Sequence, residues 1–306
     1  MKLVKSVLSA SILAAATQTA VAVEITPYAG IQVHYIFEDS AGPGGDGGIE
    51  DSYSRAGIKL SEQVGDINLT AKVEYAVDPT GETDFENDET HLRAAVLTAS
   101  GDFGSIGFGK DFLPFYNAIT WGVGSDRFYG YYTGYEADFI SKTSDTIFYS
   151  SPDINGLNIT ASISGDSASK SNSNTYDTPN HKEIALTYTI DENLTVAAAF
   201  GDGDTAAQKR RGAGLRYAKG EWLTTINYQE NPDAGTPETW INAYTQYSID
   251  DKNTFRAHIG DDDAAGTTPY TLGFSHSYND DLTVFAEYYD DDTGGEFPSI
   301  GFHYNL

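Results

Sequence analysis

The residues of this sequence that could do covalent or metal chemistry form no recognisable catalytic set. The six histidines show no spacing typical of metal ligands, and the absence of cysteine excludes disulfides and thiolate-bound metals. No Gly-x-Ser-x-Gly segment marks a hydrolase nucleophile. Asp102-Phe103-Gly104 matches a kinase magnesium motif, but no His-Arg-Asp catalytic loop accompanies it, so we interpret it as a turn. The sequence therefore predicts neither an enzyme nor a cofactor.

A separate set of residues, all of them charged, could act electrostatically on small solutes. Several of these residues fall, by alternation, on the polar side of segments in which polar and apolar residues alternate. Cations on a wall, opposed by the carboxylates of Asp126 and Asp111, would create a field that orders water and dipolar solutes. The alternative is that they are ordinary charges of a water-facing surface. We predict that the following residues line one constriction of an aqueous passage: Arg55, Lys72, Glu74, Arg93, Asp111, Asp126 and Lys142.

The elements that carry these residues are predicted to be β-strands of roughly ten residues each. In one such segment Leu282, Val284 and Ala286 share a side, while Thr283 and Glu287 lie opposite. The polar side of these segments is rich in Thr, Ser, Asn and Gly, and Tyr recurs near their ends. This pattern is typical of a barrel with lipid outside, water inside and aromatic girdles at both interfaces. Because a cation facing lipid near the midplane costs ~2–4 kcal/mol, we expect the strand charges to face inward.

The connections between the segments alternate between short turns and long polar loops. Gly220–Glu221 is a short turn, and Asp111–Ser141 is the longest of the loops. Seven short turns and eight long loops join sixteen strands, and an even number lets a sheet close without a free edge. A barrel of ~16 strands leaves a water-filled lumen. We therefore predict an all-β fold, a transmembrane antiparallel β-barrel of 16 strands.

Residues 1–22 have the pattern of a secretory signal peptide. Lys2 and Lys5 precede the apolar run Val7–Ala16, and Ala20-Val21-Ala22 is a small-residue cleavage site. The run is shorter than the ~20 residues that a membrane-spanning helix needs. We predict a signal peptide over residues 1–22 and a single β-barrel domain over residues 23–306.

The acidic surplus constrains the partners of the protein. The chain carries 45 acidic and 18 basic residues, a formal net charge of −27, which argues against a nucleic-acid partner. Much of the surplus lies in loops such as Asp84–Glu89, Asp261–Asp263 and Asp290–Asp292. It indicates a solvated surface that resists aggregation, or a negative vestibule in which loosely bound divalent cations bridge loops and lipopolysaccharide. We expect mild cation selectivity.

Several short segments are distinctive enough to suggest a family. They are Ser54–Lys59, Arg93–Val96, Gly101–Gly104, Gly107–Lys110, Lys142–Ile147 and Tyr149–Pro152. They resemble the second strand, and the strands and turns on either side of the third loop, of the Gram-negative general diffusion porins. The resemblance implies an outer-membrane homotrimer whose third loop folds into the lumen, where acidic residues face a basic wall. The chain ends in Leu306, where that family usually ends in Phe.

Several functions remain open at this point. The leading hypothesis is a nonspecific porin for ions and small hydrophilic solutes. A porin selective for oligosaccharides would use stacked aromatic residues of the third loop, namely Trp121, Phe128, Tyr129, Tyr131 and Tyr132. An outer-membrane hydrolase, an adhesin and a secreted β-sandwich are the remaining alternatives.

Overall fold

The computed structural model describes residues 23–37, 47–80, 92–122, 128, 141–165, 180–204, 209–232, 238–263 and 265–306. The predicted signal peptide, residues 1–22, and the predicted constriction residue Asp126 lie outside these ranges. Within them, one antiparallel sheet closes on itself, because β1 (Glu24–Ile36) pairs with both the last strand, β17 (Glu296–Asn305), and β3 (Arg55–Val64). The described chain is therefore a barrel.

Apart from those three, the strands of the described chain are β2 (Gly48–Asp51), β4 (Ile67–Ala76), β5 (Leu92–Gly101), β6 (Gly104–Phe112), β7 (Lys142–Ser150), β8 (Leu157–Ser164), β9 (Lys182–Thr189), β10 (Leu194–Asp202), β11 (Arg210–Lys219), β12 (Trp222–Asn231), β13 (Glu238–Ser248), β14 (Asn253–Asp262), β15 (Tyr270–Ser277) and β16 (Leu282–Asp290).

The predicted number of sixteen strands is confirmed. The sheet of the described residues has seventeen strand segments, but β2 and β3 both pair with β1 and are separated only by Ser52–Ser54. These two segments therefore form one interrupted strand, which leaves sixteen around the barrel.

The two faces of the sheet differ as the alternation predicted. In β12, Thr225, Asn227 and Gln229 are buried in the interior, whereas Ile226 and Tyr228 lie on the outer surface with large exposed fractions. The same alternation of exposed apolar and interior polar residues recurs around the sheet, with Leu97 and Thr98 as one example. An apolar outer face of this kind suits contact with lipid tails, and the polar face lines the lumen.

The short turns follow the predicted pattern at one end of the barrel. Between β11 and β12 only Gly220 and Glu221 remain, and Lys219 pairs with Trp222. Gly220 has a φ of 58°, a conformation that two-residue hairpin turns require and that glycine adopts without steric cost. The turn chemistry therefore fixes the register of this hairpin.

One short π-helix, Tyr116–Gly122, follows β6. Among the described residues, none of the helices has the length and apolar character needed to cross a membrane.

Candidate functional site

Glu74 is the centre of a charged cluster on the inner face of β3, β4 and β5. The Nε of Arg93 donates a hydrogen bond to Oε1 of Glu74 at 2.9 Å, and the hydroxyl of Tyr28 donates to Oε2 at 2.9 Å. The Nε of Arg55 lies 3.9 Å from the same Oε2. Since the Glu74 side chain is only 8% exposed, its charge is stabilised by these donors rather than by bulk water.

The backbone at Gly57 makes this arrangement possible. Gly57 lies on β3 between Tyr28 of β1 and Glu74 of β4, and it pairs with both residues. A Cβ atom at position 57 would lie 2.6 Å from both Cζ and the hydroxyl oxygen of Tyr28. Only glycine therefore lets the tyrosine ring cross the intervening strand and reach the carboxylate.

The side chain of Arg93 reaches the cluster through a β-bulge. Strict alternation from the outward-facing Leu97 would place Arg93 on the lipid side of β5. The register between β4 and β5 shifts, however, because Glu74 pairs with Ala94 and Tyr75 pairs with Leu92. The extra residue is Arg93, and bulges commonly redirect a side chain in this way. Arg93 lies on the inner side because of this bulge and not because of simple alternation, on which our prediction relied.

One aromatic ring, that of Tyr53, lies close to both arginines of the cluster. The guanidinium carbons of Arg55 and Arg93 lie 5.2 and 4.2 Å from the centre of the Tyr53 ring. Nη1 of Arg55 also donates to the backbone oxygen of Tyr53 at 3.1 Å. Tyr53 belongs to the break between β2 and β3, so the interruption of this strand supplies a cation–π partner for both arginines.

The remaining predicted residues form a second group beside the first. Nζ of Lys72 donates to Oδ1 of Asp111 at 2.9 Å. Nζ of Lys142 lies 3.9 Å from the centre of the Phe112 ring, which in turn stacks on Tyr116 at 4.5 Å. Asp111 is thus the partner of a lysine on β4, whereas Asp126, its predicted counterpart on the loop, lies outside the described residues.

The charges of the two groups do not cancel. The six described residues of the predicted constriction comprise four basic and two acidic side chains, so basic groups outnumber carboxylates. Solutes that pass this wall therefore meet fixed charges of both signs, with the positive sign in excess.

A buried ionic cluster, which sequence reasoning missed, holds the start of the long loop. The backbone N–H of Phe115 donates to Oε2 of Glu183 at 2.7 Å. Oε1 of Glu183 is bonded to Nη2 of Arg210 and lies 2.7 Å from Nε2 of His181. The guanidinium carbon of Arg210 lies 4.6 Å from the centre of the Phe115 ring. The side chains of Glu183, His181 and Arg210 are fully buried, so this contact is shielded from water.

Small residues of the wall make room for the same segment. Phe115 and Ile119 are fully buried in one apolar cluster with Ala185, Ala197 and Ala199, which lie on the inner face of β9 and β10. A Cβ at Gly212 on β11 would lie 2.8 Å from Cζ of Phe115. The run of alanines in β10 and the inward glycine of β11 were the available sequence signal for this contact.

A second described point of the long loop also touches the inner wall. The ring of Phe128 lies 5.7 Å from that of Tyr244 and 6.4 Å from that of His258, in edge-on geometries. Tyr244 and His258 belong to the inner faces of β13 and β14. Of the aromatic residues predicted to stack along the lumen, Trp121 and Phe128 are described, whereas Tyr129, Tyr131 and Tyr132 lie outside the described ranges.

The described residues contain no group of three or more His, Cys, Asp or Glu side chains arranged to hold a metal ion. The acidic segments Asp261–Asp263 and Asp290–Asp292 are within that description, and Asp84–Glu89 is outside it.

Comparison with known proteins gives one family. A family model described as Gram-negative porin matches residues 7–296 of the chain. None of the curated protein sequences matches it. Among solved structures, the anion-selective porin from Comamonas acidovorans superposes with a TM-score of 0.71 at 14% identity, over 93% of this chain and 100% of its own.

Two further solved structures are similar to the same extent. A loop-deletion mutant of OmpT, an outer membrane protein of Vibrio cholerae, gives a TM-score of 0.71 at 19% identity, covering 93% of this chain and 100% of its own. Salmonella typhi OmpF in complex with daunomycin gives 0.71 at 15% identity, covering 92% and 97%. At these identities the superpositions establish a shared fold.

Proposed function

The chain belongs to the Gram-negative porin family, and from this premise we propose that it lets ions and small hydrophilic solutes diffuse passively, with a mild preference for cations. As a member of this family it is a channel protein of the outer membrane and not an enzyme. The observation that carries the proposal is the closed sheet of sixteen strands with an apolar outer face and a polar, charged inner face. A barrel of ~16 strands is wide enough to enclose water.

Selection by polarity follows from the fixed charges of the inner wall. The cluster of Arg55, Glu74 and Arg93 places charges of both signs on the inner face of the barrel, with Arg55 the most exposed of the three. Such charges hold water and dipolar solutes in preferred orientations. An apolar solute makes no favourable interaction with them, so the loss of its hydration is not compensated. Passage involves no covalent step, so the flux depends only on the gradient and the barrier.

The long loop is proposed to set the width of the passage. Its described start is bonded to Glu183 on β9, and Phe128 packs on Tyr244 of β13, so the loop has two contacts on the inner wall. A segment held at these points takes up part of the lumen. We propose that Asp126, on the same loop, faces the basic wall.

The proposed cation preference rests on the net charge of −27 of the chain. The positive surplus of the constriction residues acts in the opposite direction, so the preference is expected to be mild. The measurement is the reversal potential of the purified protein in a KCl gradient across a planar bilayer. A potential that favours chloride, as expected for a porin that is anion-selective like the one from Comamonas acidovorans, would contradict the cation preference and leave the channel function intact.

Channel formation itself is tested by the same preparation. We expect stable open steps in planar bilayers and swelling of proteoliposomes in small hydrophilic osmolytes. Barrels that insert and remain closed to ions and to such osmolytes would contradict the proposal.

Selectivity for oligosaccharides is the second candidate function, and the aromatic contacts of Phe128 favour it. Block of the current by sugars, without block by control solutes, would support this selectivity.

The assembly and the processed form are proposed from the family. A homotrimer is supported by the Vibrio cholerae OmpT structure that is described as a trimer form, and three equal conductance steps per insertion would support it here. We further propose contact with lipopolysaccharide through divalent cations at the acidic loops, which chelation should weaken. Cleavage after Ala22 would give a mature chain whose mass corresponds to residues 23–306.

A further inference from the structure

A cavity of about 350 Å³ lies between the inner wall and the start of the long loop. Its wall side is formed by β4 to β8, and Phe112, Pro114 and Asn117 close it on the loop side. Ser105 belongs to the end of β6 next to the short turn Gly101–Gly104, whereas Asp111 belongs to the loop end of the same strand. The cavity therefore lies on the short-turn side of the loop, along the path of a solute that has passed the loop.

The absence of a side chain at Gly107 creates this space. Gly107 is on the inner face of β6, and a Cβ there would lie 3.2 Å from Oγ1 of Thr98 and 3.4 Å from Cγ2 of Val96. Even a methyl group would press against both neighbours, and a larger side chain would occupy the cavity. The glycine thus forms its floor.

The lining combines hydroxyl groups with a compensated pair of charges. Lys72 and Asp111 line the cavity and bond to each other at 2.9 Å, so together they contribute no net charge. The hydroxyls of Thr98, Ser105 and Thr160 also line it, and no hydrogen bond to another described residue engages them. A ligand can thus accept a hydrogen bond from the ammonium group of Lys72 and donate one to the carboxylate of Asp111. With the three hydroxyls it can both donate and accept hydrogen bonds.

The apolar part of the lining consists of flat or branched carbon surfaces. Val96, Pro114 and Phe148 contribute it, at positions between the polar groups. Such surfaces suit the C–H faces of a ring whose rim carries hydroxyl groups. The volume lies at the low end of the ~300–1,000 Å³ usual for small-molecule sites, which favours a single ring over a chain of rings.

We propose that this cavity is a transit site for a neutral, hydroxyl-rich ring of hexose size, which binds briefly while it crosses the channel. A charged solute gains little here because the ion pair is already compensated. A neutral polyol ring can use the donors, the acceptors and the apolar surfaces together. The inference rests on the proposed channel function and adds a solute class to it.

The test is single-channel recording with D-glucose as the probe. We expect glucose to cause brief interruptions of the current through the unmodified protein. Gly107→Val fills the cavity, and Thr98→Val removes one hydroxyl while keeping the size of the side chain. Both variants should weaken the block by glucose. For Gly107→Val we expect a roughly tenfold weaker block, which corresponds to about 1.4 kcal/mol. Thr187→Val removes an inward hydroxyl on β9, outside the cavity, and serves as the matched control.

The outcomes separate the two proposals. An open channel whose current glucose leaves unchanged would overturn the transit site and leave the channel function standing, whereas a protein that conducts nothing would overturn the channel function. Block that persists in both Gly107→Val and Thr98→Val, or that falls equally in Thr187→Val, would place glucose elsewhere and overturn the site. If Gly107→Val does not fold, Thr98→Val alone decides the question.

Discussion

Replacing Glu183 with glutamine should release the start of the long loop from the barrel wall and destabilise the barrel. The carboxylate accepts hydrogen bonds from the backbone of Phe115 and from Arg210, and His181 lies within hydrogen-bond distance of it. Because the side chains of Glu183 and Arg210 are both 0% exposed, the substitution removes a carboxylate that is bonded to a guanidinium in a site shielded from water. Removing one member of such a buried pair costs about 3–5 kcal/mol.

The double variant Glu183→Gln/Arg210→Met separates the charge effect from the loss of packing. The double variant removes both charges of the pair together, so it should be more stable than the sum of the two single substitutions implies. A matched control is Glu230→Gln, because Glu230 is also bonded to an arginine, Arg211, whose side chain is 54% exposed. Exposed pairs of this kind contribute about 0.2–1 kcal/mol.

The assay is reversible urea unfolding of the refolded barrel, followed by tryptophan fluorescence, together with single-channel recording. With a denaturant slope of about 3 kcal/mol per molar, the expected loss for Glu183→Gln moves the midpoint down by about 1–2 M. The released loop should also make the open current fluctuate between levels. A midpoint equal to that of Glu230→Gln, with a steady current, would refute the view that this buried carboxylate holds the loop.

Three further predictions concern the wall, the lipid face and a turn. Arg93→Ala removes one positive charge from the proposed constriction, so the reversal potential should shift toward cations, and a shift toward chloride would contradict this. Leu97→Arg puts a cation on the outer face and should cost ~2–4 kcal/mol of stability if it lies near the midplane, whereas Thr98→Arg, one residue along and facing inward, should cost much less; equal costs would be inconsistent with the assigned faces. Hydrogen bonds from Asn253 hold the pKa of Asp250 in the β13–β14 turn below its ordinary value. The free energy of unfolding should therefore be higher than that of Asp250→Ala at any pH above the ordinary pKa, and the difference should disappear as the pH falls through the lowered pKa. A difference in stability that does not change with pH would exclude this contribution.

The strands and their number could be predicted because both follow from local patterns. Alternation along each segment and the chemistry of turns such as Gly220–Glu221 act within about ten residues of chain. The closed sheet then follows, since an even number of strands with a lipid-facing side leaves no free edge. The inward positions of Arg55 and Glu74 could be predicted in the same way, because each residue follows the regular alternation of its strand.

The partners of these residues could not be predicted, because pairing across strands depends on register and on irregularities. The bulge that turns Arg93 inward is visible only as a shift between Glu74 and Tyr75 in the paired strands. Glu183 and Arg210, separated by 27 positions in sequence, meet because β9, β10 and β11 are neighbours in register. Neither the bulge nor the pairing of Glu183 with Arg210 can be recognised from the sequence of a single strand.

The two sources of fixed charge in this channel should respond differently to salt, and this provides a last test of the selectivity argument. Arg93 and Glu74 are mostly buried and bonded to each other, so mobile ions screen them weakly, whereas acidic residues such as Asp263 and Asp292 are exposed. The screening length falls from ~10 Å at 0.1 M to ~3 Å at 1 M. The contribution of the acidic loops should therefore fade with added salt while the positive surplus of the proposed constriction persists. We expect the cation preference to be largest in dilute KCl and to decline toward zero or reverse at 1 M; a preference that is constant over this range would mean that exposed loop carboxylates do not produce it.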